Sequence, residues 1–519
     1  MVKSQMGLLQ EGVIFHRVAP KVRATVTPGQ SGYSRDVADA QLLLHELMAE
    51  RKGLGLPLWS IFGDLEKAFP RTWRQGMLKQ LREKALLTDG MFALLGSILE
   101  ADHVHVYISG VSVVLVKQGV SEGGLIGPLC FPSFMDSLTQ ALQEADCGVG
   151  FGISMPGAWV NHTWKGAGTP EATCTRQLID SINCGGLLPD SAALSMSPSL
   201  EASALLALDR TAKLRLAAIL HADDPVLLSS SFGGAEKLLA VQTDWAYRWK
   251  VTPHCGGDKS VVMACGPVGI NDVIAGLPPL SMQLSGRLST PLIYKISHKW
   301  LGLLWHHLLD LSVAMQGVIR SASAKFAILS GLVNARLLPL CVVVKLFEAL
   351  IEGSMRFGRW LYATSPGAGE ILDELYVKWA RALIGAPPWR NAGVASSEVG
   401  WQISGQGRAV IDVAAKRAYF YNLEPDVYQH TFLLGHSMQG ASWARRGAEL
   451  LRDWGILDWP AWSTPGSSPD QYKAYVRQSV ARVCHESWLG VASAHTQPVE
   501  YLALRPSMST FSAIQQHYL

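Results

Sequence analysis

The chain has 519 residues, too many for one ordinary domain, so two to four are expected. With 48% hydrophobic and 17% charged residues it can bury a sizeable core, which excludes wholesale disorder. A formal net charge of +3 permits a nucleic-acid partner without requiring one, because a basic groove can be local.

Eight scattered cysteines with no CxxC pair argue against a zinc site or a disulfide framework and fit a reducing compartment. No apolar run reaches the roughly 18 uncharged residues of a membrane span. The first 26 residues have charges among their apolar positions, and no signal peptide is expected.

Residues 1–35 mix helix-like apolar spacing with Pro20 and Pro28. Residues 36–52 have apolar positions at helical spacing, with Asp39 near the start and Arg51 and Lys52 at the end, as the helix dipole favours. LPLWSIFGD (56–64) reads as a short buried strand ending on a carboxylate, and 72–86 and 89–101 as helices. HVHVYISGVSVVLVKQGV (103–120) alternates about a Ser-Gly turn at 109–110, predicting a β-hairpin. Residues 125–145 predict a helix with Pro128 near its first turn and Pro132 tolerated or kinking it. Residues 146–209, rich in Gly, Ser, Pro and Thr, predict a flexible insertion. Then follow strand, acidic turn and strand over 214–230, a helix over 233–250 and a strand near 260–264. Helical patterns occupy about 311–385 and the chain beyond 401, where Trp443, Trp454, Trp459, Trp462 and Trp488 read as helix-packing core more readily than as base-stacking residues.

Two acidic clusters interrupt apolar strands: FGDLEKAF (62–69) and ILHADDPVLL (219–228). Burying an unpaired carboxylate is costly, so such an aspartate needs a cation or a hydrogen-bonding turn. Aspartates delivered by two strands to one sheet edge could hold two Mg²⁺ ions, hard cations that take oxygen ligands. Two such ions about 4 Å apart activate a hydroxyl and neutralise a leaving pyrophosphate, the chemistry of nucleotidyl transfer. An Asp-Asp pair alone is more often a self-capped turn, so the order of further motifs has to decide.

That order resembles the reverse transcriptases of non-LTR (LINE-type) retroelements. QSGYSRDVADAQLLLHEL (30–47) resembles their fingers signature, and FGDLEKAF their first palm motif. VKQGVSEGGLIGPLCFPSFMDSL (116–138) resembles the next segment, and HADDPVLL (221–228) their Y-A-D-D hairpin. WAYRWKVTPHCGGDKSVVM (245–263) and KWLGLLW (299–305) resemble the two that follow, and ARALIGAPPWRNAGVASSEVGW (380–401) the segment behind the thumb.

The resemblance implies an α+β right-hand polymerase. Fingers and palm, with an antiparallel sheet and packed helices, would occupy 1–310, a helical thumb 311–385 and a helical C-terminal region 386–519. It implies RNA-templated addition of dNTPs to a DNA primer 3′-hydroxyl inside the cell, in cytoplasm or nucleus, with no membrane. Asp64, Asp223 and Asp224 would bind two Mg²⁺ ions, with Mn²⁺ able to substitute, and the Leu65 carbonyl would assist. Phe69 would select deoxynucleotides, although read alone it is more often a core aromatic. Gly123 and Gly124 would admit the nascent base pair, and Arg35 would touch template or triphosphate. Lys259 would be charge partner or general acid to the pyrophosphate, or else a solvated loop lysine. Lys67 would contact phosphate or pack its stem.

The chain departs from the pattern at His221, Glu122 and Pro70, where the family has tyrosine, glutamine and aspartate, and finger strands before residue 20 are shortened or missing. Glu122 beside a triphosphate opposes binding by roughly 3 kcal/mol at about 6 Å and an effective dielectric near 20, and His221 can become charged beside two carboxylates. The alternatives are an impaired retroelement remnant that only binds nucleic acid, and an unrelated Asp-rich metal phosphohydrolase.

Overall fold

In the computed structural model the described residues are 5–27, 30–32, 35–54, 56–84, 89–100, 103–107, 111–115, 119–120, 124–153, 209, 212–255, 258–265, 277–282, 290–335, 337–438, 441–493, 500 and 503–504. The chain divides into two compact units, Met1–Gly302 with Asp426–Thr431, and Leu303–Pro425 with Phe432–Leu519. The fold class is α+β with a mixed sheet. Among the described residues no helix is long and apolar enough to cross a membrane.

The first unit runs α1 (Gln5–Thr25), α2 (Val37–Leu54), β1 (Leu58–Phe62), α3 (Ala68–Arg71), α4 (Arg74–Lys84), α5 (Asp89–Glu100), β2 (His103–Tyr107), β3 (Val111–Leu115) and α6 (Ile126–Glu144). It continues through β4 (Val149–Ile153), β5 (Ala212–Leu216), β6 (Ala218–His221), β7 (Asp224–Ser229), α7 (Phe232–Arg248), β8 (Val261–Cys265), β9 (Ser281–Met282), β10 (Thr290–Pro291), β11 (Ile293–Tyr294) and β12 (Ser297–Trp300). The expected helices over 72–86, 89–101, 125–145 and 233–250 and the hairpin strands at 103–120 and 214–230 are all present; the Ser-Gly turn at 109–110 lies outside the described residues.

Two segments differ from expectation. The N-terminal stretch forms one 21-residue helix with Pro20 inside it. An internal proline costs a helix about 3 kcal/mol, but α1 buries Ile14, Val18 and Val22, each contributing roughly 1.5–3 kcal/mol, so burial outweighs the broken turn. The glycine-rich stretch from 146 begins with a strand, not a loop: β4 pairs antiparallel with β5, Val149 opposite Leu216. Residues 154–208 lie outside the described residues.

The central sheet has the order β11-β8-β1-β7-β6; β11 runs parallel to β8 and the other neighbours are antiparallel. β1 is its middle strand and is buried at all five positions, which explains why its sequence reads as an unbroken apolar run. On one face Trp59, Ile61, Leu227 and Val262 join the core with Phe131, Phe134 and Leu138 of α6 and Leu238 and Trp245 of α7. Trp245 Nε1 donates to Ser137 Oγ at 2.8 Å, so the indole enters the core without an orphaned donor. The α6 carboxylate Asp136, fully buried, is matched by Lys84 Nζ at 2.7 Å and the Thr27 amide at 2.9 Å.

The second unit is helical over most of its described residues, with long helices Leu311–Asn334, Gly405–Tyr421 and Pro469–Ser493. Val410, Ala414, Tyr472, Val476 and Val480 form a core joined by Trp459 and Trp462, and Trp443 is fully buried with Nε1 donating to the Trp360 carbonyl at 2.7 Å. Four of the C-terminal tryptophans singled out from the sequence, Trp443, Trp454, Trp459 and Trp462, thus do core work. Buried Arg359 bridges Glu352 (2.7 Å), Asp412 (2.8 Å) and Tyr376 Oη (3.0 Å). Burial alone would raise the Glu352 pKa, but Arg408 and Arg359 hold it down at about 2, so the pair is ionised. Removing one partner strands the other charge in the interior. Arg359→Leu should lower the unfolding free energy by about 3–5 kcal/mol in a urea titration; a loss under about 1 kcal/mol would mean the network contributes little.

Candidate active site

The sheet register sets the site. Phe62 pairs with Val226 of β7 and with Val261 of β8, and the Gly63 amide donates to the Pro225 carbonyl at 2.9 Å. Carrying the β1–β7 register two residues on sets Asp64 opposite Asp224. On the other side the β1–β8 ladder ends at Phe62–Val261, the Asp64 main chain is met by His254, and Lys259 reaches Asp64 through its side chain. β6 adds His221, paired directly with Asp224. Asp64, Asp224 and His221 therefore form one row across three strands at one edge of the sheet, with the Lys259 ammonium beside it. Segments far apart in sequence supply it, and period-2 alternation puts the row on the face that carries Phe62 and Val226.

Asp64 is three-quarters buried, its Oδ2 lying 3.2 Å from His254 Nδ1 and 3.7 Å from the exposed Lys259 Nζ. Its backbone is fixed on both sides: the Asp64 amide donates to Ser260 Oγ (3.2 Å), the His254 amide donates to the Asp64 carbonyl (2.8 Å), and Ser260 Oγ donates to the His254 carbonyl (2.7 Å). Half-buried Asp224 has its pKa pushed up to about 6, first by burial, then by Asp223 and Asp64, with Lys259 opposing. Asp223 sits in the two-residue turn between β6 and β7. Burial lowers the His221 pKa against an opposing pull from Asp36, and its Nδ1 stands 2.9 Å from Ser31 Oγ. The direction of this shift runs against the expectation that His221 would charge beside the carboxylates.

The remaining candidates fall into three groups. Leu65 and Phe69 are buried in the core; Leu65 bridges Pro253, and the Phe69 ring stacks on Phe131 at 4.3 Å. Val120 donates its amide to the Phe69 carbonyl (2.8 Å) and Gly119 to the Thr72 carbonyl (2.9 Å), so these two residues are laced to the segment at 69–72. Gly119 has φ +82°, and a Cβ there would lie 2.3 Å from the Pro70 carbonyl oxygen, so only glycine fits. Gly124 is buried, while Glu122 and Gly123 lie outside the described residues. Arg35 is turned to this chain's own acids: it pairs with Asp426, reaches Asp39 at 3.9 Å and lies over the Tyr428 ring at 5.0 Å. Lys67 is exposed with φ 49°.

Sequence reasoning missed His254 and the Ser260 hydroxyl. Both lie in the quoted 245–263 segment, but nothing in their spacing singles them out. It also missed that Trp300, in KWLGLLW, donates Nε1 to the Asp224 carbonyl at 3.4 Å while its ring meets Phe62.

No protein-family model matches this sequence, and no curated protein matches it. A solved structure of telomerase from Candida albicans, in complex with a TWJ fragment of telomeric RNA, is similar at 9% identity and a TM-score of 0.25, over 84% of this chain and 57% of that one. So slight a likeness carries no argument about fold or activity. This chain spans less than two thirds of that chain's length.

Among the described residues no three His, Cys, Asp or Glu side chains stand close enough to hold a metal ion as placed. The three carboxylates would offer a hard cation oxygen donors, with the His254 imidazole beside Asp64, and they are crowded enough to push the Asp224 pKa up to about 6. The shift has a direct check by carboxyl ¹³C NMR in EDTA. Asp224 should titrate at about 6. Asp64→Asn removes a negative neighbour and should lower that midpoint; Lys259→Ala removes a positive one and should raise it. A midpoint moved by neither variant would separate Asp224 from this row.

Proposed function

We propose that the chain is an RNA-directed DNA polymerase of the non-LTR retroelement kind. It would extend a DNA primer on an RNA template with dNTPs. The observation that carries this reading is the convergence of Asp64 and Asp224, from motifs far apart in sequence, onto one row of the sheet beside Lys259. A row built for stability alone would pair its acids one to one; here Asp224 is left to take up a proton.

In this reading residues 1–310 are fingers and palm, 311–385 the thumb and 386–519 a helical extension. Asp64, Asp223 and Asp224 would hold two Mg²⁺ ions, which when bound supply charge neutralisation at the attacking and leaving oxygens. Lys259, 60% exposed beside Asp64, would meet the leaving pyrophosphate as charge partner or general acid. Ser260 and His254 fix the Asp64 main chain, so its carboxylate is presented with little freedom. Trp300 and Phe62, both buried, pack behind the same face and brace the carboxylate edge. Phe69 is the sugar-selecting candidate, its ring braced from behind by Phe131.

Primer extension on an RNA template tests the reading. The chain should extend with Mg²⁺ and dNTPs, and Asp64→Asn or Asp224→Asn should each lower the rate on the order of a hundredfold or more while the circular dichroism spectrum is kept. Binding of the primer–template without extension would make the chain the nucleic-acid-binding remnant; full activity in either variant would end the assignment. Phe69→Val should admit ribonucleotides, and unchanged discrimination would leave Phe69 a core residue only.

A further inference from the structure

The hairpin that carries Asp223 and Asp224 is held from outside as well as by its own ladder. Its turn residue Ala222 has φ 56°, in the left-handed region that non-glycine residues seldom occupy. A segment from far upstream grips it. Gln30 is almost fully buried, and both ends of its carboxamide are used on the turn: Nε2 donates to the Ala222 carbonyl (3.2 Å) and Oε1 accepts from the Ala222 amide (3.0 Å). The same Oε1 accepts from the Gly32 amide at 2.9 Å, which fixes the carboxamide's own orientation. Ser31 donates its amide (2.8 Å) and its hydroxyl (3.1 Å) to the Leu220 carbonyl, and Gln30 forms a parallel bridge with Leu220. Gly32 lies so close that a Cβ there would stand 2.1 Å from the Ala222 nitrogen.

We propose that Gln30 is a positioning residue for the carboxylate hairpin: its carboxamide, locked by Gly32, clamps the Ala222 main chain and so sets where Asp223 and Asp224 stand relative to Asp64. This rests on the reading of those carboxylates as cation ligands. Gln30 itself touches neither cation nor substrate. A primary amide is the side chain for the task, because only one end that donates and one that accepts can bond both the carbonyl and the amide of a single residue. Leucine or methionine would fill the space and leave both Ala222 groups buried without partners.

The test uses the full chain with Gln30→Ala, and Gln30→Met as the isostere that keeps length and loses both hydrogen-bonding ends should the alanine variant not fold. Two readouts are taken. Amide hydrogen exchange at Ala222 should quicken by about tenfold, the loss of roughly one hydrogen bond, while Phe62 and Val226 in the sheet keep their protection. Mn²⁺ affinity, read by the EPR signal of free ion, should weaken roughly 10–100-fold, as removal of supporting partners does at other metal sites. In extension assays kcat should fall with the KM for primer–template unchanged. A folded variant with wild-type Mn²⁺ affinity and unchanged Ala222 exchange overturns the positioning role and leaves the polymerase reading standing. A wild-type chain that binds no Mn²⁺ overturns both.

Discussion

Like charges crowded at one edge of a sheet organise the first unit. Two unit charges about 5 Å apart repel by roughly 3 kcal/mol at an effective dielectric near 20, and partial burial sharpens this. The antiparallel register leaves no freedom to relieve it. With Phe62 paired to Val226 and the Gly63 amide bonded to the Pro225 carbonyl, Asp64 must meet Asp224, while on its other side the main chain is held by His254. The chain answers with Lys259 and His254 on the Asp64 side and with a raised pKa at Asp224. Asp224 keeps its raised pKa even so, and the proposed cation would relieve that crowding.

The helical unit offers the contrast. There Arg359 and Arg408 face Glu352 and Asp412, each carboxylate has a guanidinium partner, and Glu352 stays ionised down to about pH 2. Charges matched in this way hold helices together and ask for nothing further. The carboxylate row differs not in the number of its charges but in their imbalance. That imbalance separates a candidate site from a structural network when both are buried and both are acidic.

Much of the first unit was legible in the sequence because its strands are short apolar runs that stop on aspartate. LWSIF followed by Gly-Asp, and AILH followed by Ala-Asp-Asp, announce both the strands and the chemistry at their ends. Less was legible where tertiary burial overrode local signals. Pro20 argued against a continuous α1, yet Ile14, Val18 and Val22 hold it together. Glycines at 148, 150 and 152 hid β4, whose pairing with β5 brings backbones too close for larger residues at 148 and 150. The partners of the candidate site were invisible for another reason. His254, Ser260 and Gln30 act through hydrogen bonds or close contacts to main chain or carboxylate, and no periodicity marks such residues. Arg35 shows the converse: a basic residue in a recognisable motif that spends its charge on Asp426 and Asp39.

The central claim is that the Asp64, Asp223 and Asp224 carboxylates jointly bind divalent cation, and anomalous diffraction from crystals soaked in Mn²⁺ tests it most directly. The account predicts an anomalous peak shared by Asp64 and the Asp223–Asp224 turn, at oxygen–metal distances of about 2.0–2.3 Å, with the His254 and Lys259 contacts to Asp64 loosened as the ion takes over their charge. A peak bound elsewhere, or no peak while Asp64 keeps both basic partners, would contradict it.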